Sequence, residues 1–135
     1  MSDETVRSVP GTEDMLPQQR GWWRKLQRSA RRLFDTYGYG PLRTPVMEYS
    51  ALFEKGTGET TDIVEKQMYT LSGDEEITLR PECTPPVIRA YLENSLHKTA
   101  RFQKFYYIGP MFRRERPQKG RLRQFHQTGV EAIGS

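Results

Sequence analysis

Arg113, Glu115, Gln127 and Glu131 flank a dense basic loop that runs to Arg123, and Phe125 opens the return arm. These types suit joint recognition of a nucleotide and a small zwitterion. The planar fork of Arg113 donates parallel hydrogen bonds to a phosphate oxygen that gains charge in a transition state. Glu131 and Gln127 suit an ammonium group, and Phe125 offers a flat face for a purine. Arg121 and Arg123 are placed to reach outer phosphates.

Position along each arm decides whether these groups converge. Side chains alternate on an extended arm, so Met111, Arg113 and Glu115 share one side of the first. Phe125, Gln127, Gly129 and Glu131 share one side of the second. If the two sides coincide, the cluster is a site. A Lys/Arg-rich turn standing alone is more simply a solvated loop. A merely solvated loop has no use for Gln127 and Glu131 beside Phe125.

The elements around the hairpin follow from periodicity. Trp22, Trp23, Leu26, Ala30, Leu33, Phe34 and Tyr37 recur at helical spacing, predicting a helix over about 16–37 that Gly38 and Gly40 stop. This aromatic stripe reads as core or subunit interface. Leu42 to Glu48 is extended, and Pro45 assigns it to an edge or to a break in pairing. A short helical turn at 51–55, a loop at Gly56–Asp62 and strands at 67–71 and 76–80 about Ser72-Gly73-Asp74 come next. The two glycines of the loop are not a phosphate loop, since no Lys-Ser or Lys-Thr follows. Thr84 begins a helix to Leu96, with Pro85 and Pro86 in its first turn and the Thr84 hydroxyl read as a cap, the commoner role, or as a contact to bound amino acid. Glu82 sits just before it, at a strand-to-helix junction that can point into a pocket. His97 reads as a helix-end surface residue, and His126 lies on the side of its arm away from Gln127.

Three strings here resemble a known family. Phe112-Arg113-Arg114-Glu115, with Arg116-Pro117-Gln118-Lys119-Gly120-Arg121 after it, resembles motif 2 of class II aminoacyl-tRNA synthetases in its histidine-specific form. Leu79-Arg80-Pro81-Glu82-Cys83-Thr84 is similar to the LRPEGT element of histidyl-tRNA synthetases, and Pro10 to Pro17 resembles their opening RGTxDxLP. Two departures stand out: Cys83 replaces the usual Gly, and Val9-Pro10 replaces the opening Arg.

The resemblance implies an α+β fold, an antiparallel sheet flanked by helices. It divides the chain into motif 1 at about 16–50, the LRPE element at 79–90 and motif 2 at about 105–134. The implied reaction joins histidine to ATP as histidyl-adenylate, then transfers the histidyl group to tRNA(His), with magnesium arriving on the ATP phosphates and no metal held by the protein alone. Arg113 falls on the α-phosphate and the substrate carboxylate as the catalytic residue. Glu115 falls near the adenine or ribose, Arg121 toward the outer phosphates and Phe125 against adenine. Glu82, Thr84, Gln127 and Glu131 would hold histidine, chiefly its amino group. Motif 1 implies a homodimer. Motif 3 and an anticodon-binding domain have no match, so a chain of 135 residues alone is expected to be weakly active and weakly selective, and half a sheet leaves an edge or apolar face open.

Composition fits this picture without specifying it. A net charge of +4 favours solubility and mild attraction to nucleic acid. One cysteine closes no internal disulfide, and with two histidines it lacks metal-ligand spacing, consistent with a reducing, cytoplasmic setting. No apolar run has membrane-spanning length. Two rival readings are the synthetase-like regulatory subunit of ATP phosphoribosyltransferase and a plain RNA-binding module.

Overall fold

The computed structural model describes residues 5–54 and 66–134. The loop at Gly56–Asp62 lies outside them. After an irregular lead-in, a 3-10 turn at Pro17–Gln19 passes into helix α1, Arg20–Thr36. The Gln19 side chain accepts the Leu16 N–H at 3.0 Å, satisfying one donor that the start of a helix leaves orphaned. The far end closes at Gly38, whose φ of 76° favours glycine.

The aromatic stripe of α1 divides in two. Trp23 and Phe34 face the sheet, the first meeting His126 edge-on at 4.6 Å between ring centres and the second lying against Tyr106 at 4.9 Å. Trp22, Leu26, Leu33 and Tyr37 remain between 55% and 78% exposed. No residue of α1 is buried: only the line of Trp23 and Phe34 is half-covered, because a helix resting on a sheet turns only a narrow stripe inward.

Two small sheets follow. One has the order β1-β5-β6, with β1 at Gly40–Pro41, β5 at Gln103–Phe112 and β6 at Gln124–Ile133. The other has the order β2-β4-β3, with β2 at Met47–Tyr49, β3 at Tyr69–Leu71 and β4 at Ile77–Leu79. The α+β class stands, in two sheets and with one exception to antiparallel pairing. β1 runs parallel to β5, since the chain between them makes a long crossover through the second sheet. Pro45 does what its missing N–H requires: residues 42–46 join no ladder, and β2 beyond them is an edge strand. α2, Ala51–Glu54, is the expected short turn.

Helix α3 spans Thr84–Glu93 and stops short of Leu96. Ser95 takes a left-handed φ of 54°, which ends the α-helix before a 3-10 turn at Leu96–Lys98, where His97 is exposed. The cap is Cys83, without a side-chain bond, so the reading of Thr84 as cap is corrected. Val87, Ala90 and Tyr91 bury the inner face of α3. Val87 and Met111 are fully buried and join Cys83 in a core bordered by Leu42, Phe105, Tyr107, Phe125 and Ile133. Each such aliphatic side chain contributes about 1.5–3 kcal/mol by leaving water. On the outer side Arg89 of α3 reaches Glu48 of β2 at 2.9 Å, tying the helix to the second sheet.

Candidate active site on the β5–β6 hairpin

The register of the hairpin answers the question that alternation left open. Met111 pairs with Phe125, Gly109 with Gln127, Tyr107 with Gly129 and Phe105 with Glu131. Residues directly opposite share a face, so the two expected sides coincide. Pairing continues past the strand end, where the Arg113 N–H donates to Arg123 O at 2.9 Å. Beyond it Gln118 and Arg121 exchange backbone hydrogen bonds across a tight turn.

Arg113, Glu115, Arg121 and Phe125 line one cavity of about 650 Å³. All four residues assigned to ATP thus open on the same space. The Arg113 guanidinium sits 5.2 Å from the centre of the Phe125 ring, within cation–π range, and its Nε donates to Pro81 O at 3.1 Å. Arg113 is thereby aimed by both the hairpin and the 79–84 segment.

Arg123 has a different task from the one expected. Its Nε donates to Glu115 O at 3.0 Å and its Nη1 to Pro10 O at 3.2 Å, so it clamps the hairpin to the lead-in. The Arg123 N–H also donates to Gly11 O at 2.7 Å. Two of its three guanidinium nitrogens are thus committed to carbonyls rather than held for outer phosphates.

The clamp explains two cavity residues that the sequence reading missed. Glu13 follows Gly11 in the docked lead-in, and Gln67 precedes β3; both line the cavity. The opening string was a signal for Glu13, since a lead-in that merely trails has no reason to carry a motif. Gln67 had no local signal. Its side-chain oxygen is buried and unpartnered, a state that native proteins rarely leave without a use.

The other four residues gather beside α3. The Thr84 hydroxyl donates to Glu131 Oε1 at 2.5 Å, joining the first residue of the helix to β6. Burial raises the Glu82 carboxyl above the ordinary glutamate range; Arg113 pulls it down and Glu131 pushes it up. Glu82 thus feels both the guanidinium and the second carboxylate. Gln127 Oε1 is buried and unpartnered on the same face. An ammonium group placed here would meet two carboxylates, a hydroxyl and an amide oxygen.

Tyr107 is a further member that the sequence reading passed over. Its hydroxyl lies over Gly129, where any Cβ would come within 2.3 Å of it. Burial raises its pKa, the nearby Cys83 and Glu131 raise it further, and a hydrogen bond with Thr84 opposes them. The Gly129 cross-strand position could have pointed to it, had the register been known. His126 is correctly outside the site: it packs on Trp23, and burial lowers its pKa. Cys83 is buried, its thiol 3.7 Å from the Thr44 hydroxyl, and burial raises its pKa. It is a packing residue at this junction.

The hairpin joins a cationic cavity to an acidic, hydrogen-bonding cluster, and solved structures bear the fold out. The crystal structure of apo Staphylococcus aureus histidyl-tRNA synthetase is similar, with a TM-score of 0.77 and 37% identity, covering 97% of this chain and 30% of that one. A Bacillus halodurans structure titled as an ATP phosphoribosyltransferase regulatory subunit/histidyl-tRNA synthetase shares the fold, with a TM-score of 0.79 at 23% identity. The family model for histidyl-tRNA synthetase matches residues 11–135, and the chain belongs to that family. It is 54% identical over 132 residues to the histidine–tRNA ligase of Halothermothrix orenii, covering 96% of this chain and 32% of that protein. To the Dictyoglomus thermophilum ligase it is 56% identical over 126 residues, 92% of this chain and 30% of that protein. The chain thus spans about a third of the length of these curated relatives.

Proposed function

We propose that this chain is the part of a histidine–tRNA ligase that binds ATP and the amino group of histidine, with motif 1 at about 16–50, the LRPE element at 79–90 and motif 2 at about 105–134. The observation that carries it is the shared cavity of Arg113, Glu115, Arg121 and Phe125, with Glu82, Thr84, Gln127 and Glu131 on the continuing face. A carboxylate oxygen of histidine attacks the α-phosphorus of ATP. The bond to the β-phosphate breaks, pyrophosphate leaves and the mixed anhydride remains. No protein base is needed, since the attacking group is already ionised. Arg113 serves the charge that accumulates on the α-phosphate. A ribose hydroxyl of tRNA(His) then attacks the carbonyl and AMP leaves.

Phe125 stacks with adenine, Glu115 lies at the adenine or ribose, and Arg121 reaches the outer phosphates. Magnesium comes as part of the ATP substrate. Among the described residues no three His, Cys, Asp or Glu side chains gather for a metal. A homodimer through motif 1 belongs to the same reading. It is supported by Met47 and Tyr49 of the edge strand β2, 52% and 63% exposed. A cytoplasmic setting is supported by a lone, buried thiol; no helix among the described residues is long and apolar enough to cross a membrane.

Histidine-dependent ATP–pyrophosphate exchange by the full chain tests the reading. Weak exchange in the presence of histidine, with little preference over other amino acids and lost in Arg113→Ala, is expected. Exchange that survives Arg113→Ala, or none at all, would refute the reading, and turnover with strict histidine preference would refute the expectation of weak selectivity. The regulatory-subunit alternative has less support, because the relatives above 50% identity are named as ligases.

A further inference from the structure

We propose that Arg80 is a positioning residue for amino-acid activation, holding the Glu82–Thr84 segment at a fixed distance from Arg113. This rests on the ligase reading for its chemistry, although the geometry stands without it. Arg80 follows β4 and is only 5% exposed. Its Nε donates to Pro110 O at 3.0 Å on β5, and its Nη1 donates to Thr44 O and Thr44 Oγ1, both at 3.0 Å. Pro45 O and the Cys83 thiol lie at 3.5 and 4.0 Å from the same nitrogen. Every one of these acceptors is neutral. A buried guanidinium is expensive to place, and here carbonyls from separate segments compensate it.

The backbone of the same residue makes the second half of the splice. The Arg80 N–H donates to Val46 O at 2.9 Å, and Arg80 O accepts the Phe112 N–H at 2.9 Å. One residue therefore binds the strand leading into β2, the end of β5 and, through its successors, the start of α3. The two groups it separates are the ones that must act together: Glu82 is two residues along the chain, while Arg113 follows Phe112 and donates to Pro81 O.

Gly109 makes room for this. A Cβ there would lie 2.5 Å from Arg80 Nη2. Gly109 pairs with Gln127, so the guanidinium crosses the site face at the register position of a residue assigned to histidine. A lysine cannot reproduce the fork, because a single ammonium has no planar geometry with which to span Pro110 and Thr44 together. Displacing the two half-sites by about 1 Å is enough to cost on the order of 100-fold in rate, even where each still binds its ligand.

The test compares Arg80→Lys and Gly109→Ala with the unaltered full chain. Thermal melting reports folding, calorimetry measures histidine and ATP binding one at a time, and pyrophosphate exchange gives kcat and KM. The expected result is single-ligand affinity within about twofold of wild type in both variants, with kcat roughly 100-fold lower at a temperature where both are folded. A loss confined to KM, a loss that only tracks the unfolded fraction, or an unchanged kcat would overturn the proposal. If the unaltered protein shows no histidine-dependent exchange, the ligase reading fails instead. A crystal structure of Gly109→Ala then decides: displacement of 110–112 away from 81–82 supports the positioning role, and an unchanged separation overturns it.

Discussion

The two halves of the site are prepared in opposite ways. Around Arg113, Arg121 and Phe125 the chain holds open a cavity of about 650 Å³ whose wall includes the unpartnered Gln67 oxygen. Around Glu131 some groups have already found one another: Thr84 donates to Glu131, the Tyr107 hydroxyl lies over Gly129, and Glu82 is held above its ordinary pKa by burial. The nucleotide half is a cavity shaped by backbone clamps. The amino-acid half is a partly joined network, with the Gln127 amide oxygen still unpartnered, and on the proposed reading an ammonium inserts there and relieves the crowded carboxyls. On the proposed reading, charge stabilisation belongs to the first half and capture of the amino group to the second.

Three substitutions probe that division, beginning with the largest effect. On the proposed reading Arg113→Ala removes the group that serves the transition state, and kcat for pyrophosphate exchange should fall by about 100- to 1,000-fold. A drop mainly in ATP affinity would instead make Arg113 a ground-state contact. Glu131→Gln should weaken histidine binding by about ten- to a hundredfold while leaving ATP affinity unchanged, since a charge-assisted hydrogen bond is worth about 1.5–3 kcal/mol. Equal losses for both ligands in calorimetry would erase the distinction between the halves.

The smallest effect is on stability. A carboxyl whose folded pKa is raised binds its proton more tightly in the folded state. Stability therefore declines as pH rises from the unfolded glutamate value through the higher folded one, and stays reduced above it. Glu82→Gln should remove that slope and raise the melting temperature slightly at neutral pH. Unaltered pH dependence of melting between the variants would show that Glu82 is not crowded.

How much of this was legible depended on the range of the interaction. The helix of Trp23 and Phe34, the hairpin arms and the break at Pro45 follow local periodicity and local sterics, so they were readable. The alternation that placed Phe125, Gln127 and Glu131 on one side is equally local. Thr84 was misread because capping is a local role, while its actual partner, Glu131, lies 47 positions away. Arg123 was misassigned for the same reason: its charge was visible, but the Pro10 and Gly11 carbonyls that engage it come from the far end of the chain. Gln67 and Tyr107 needed a register that no periodicity supplies. Half the stripe on α1 stayed exposed because hydrophobic spacing shows which residues prefer cover, not how wide a surface meets them.

The strict alternation of β6, half-buried at Phe125, Gln127, Gly129 and Glu131 and exposed at Gln124, His126, Thr128 and Val130, has a practical consequence. Its outer positions can take a fluorophore at Thr128 or Val130 that reports on motion of the hairpin while leaving the chemistry alone. A single-residue deletion just before Phe125 would do the reverse, turning the working row outward and presenting His126 and Thr128 to the ligands. The site is encoded in the parity of residue numbers, and frame along this strand is guarded more strictly than the identity of any one outward residue.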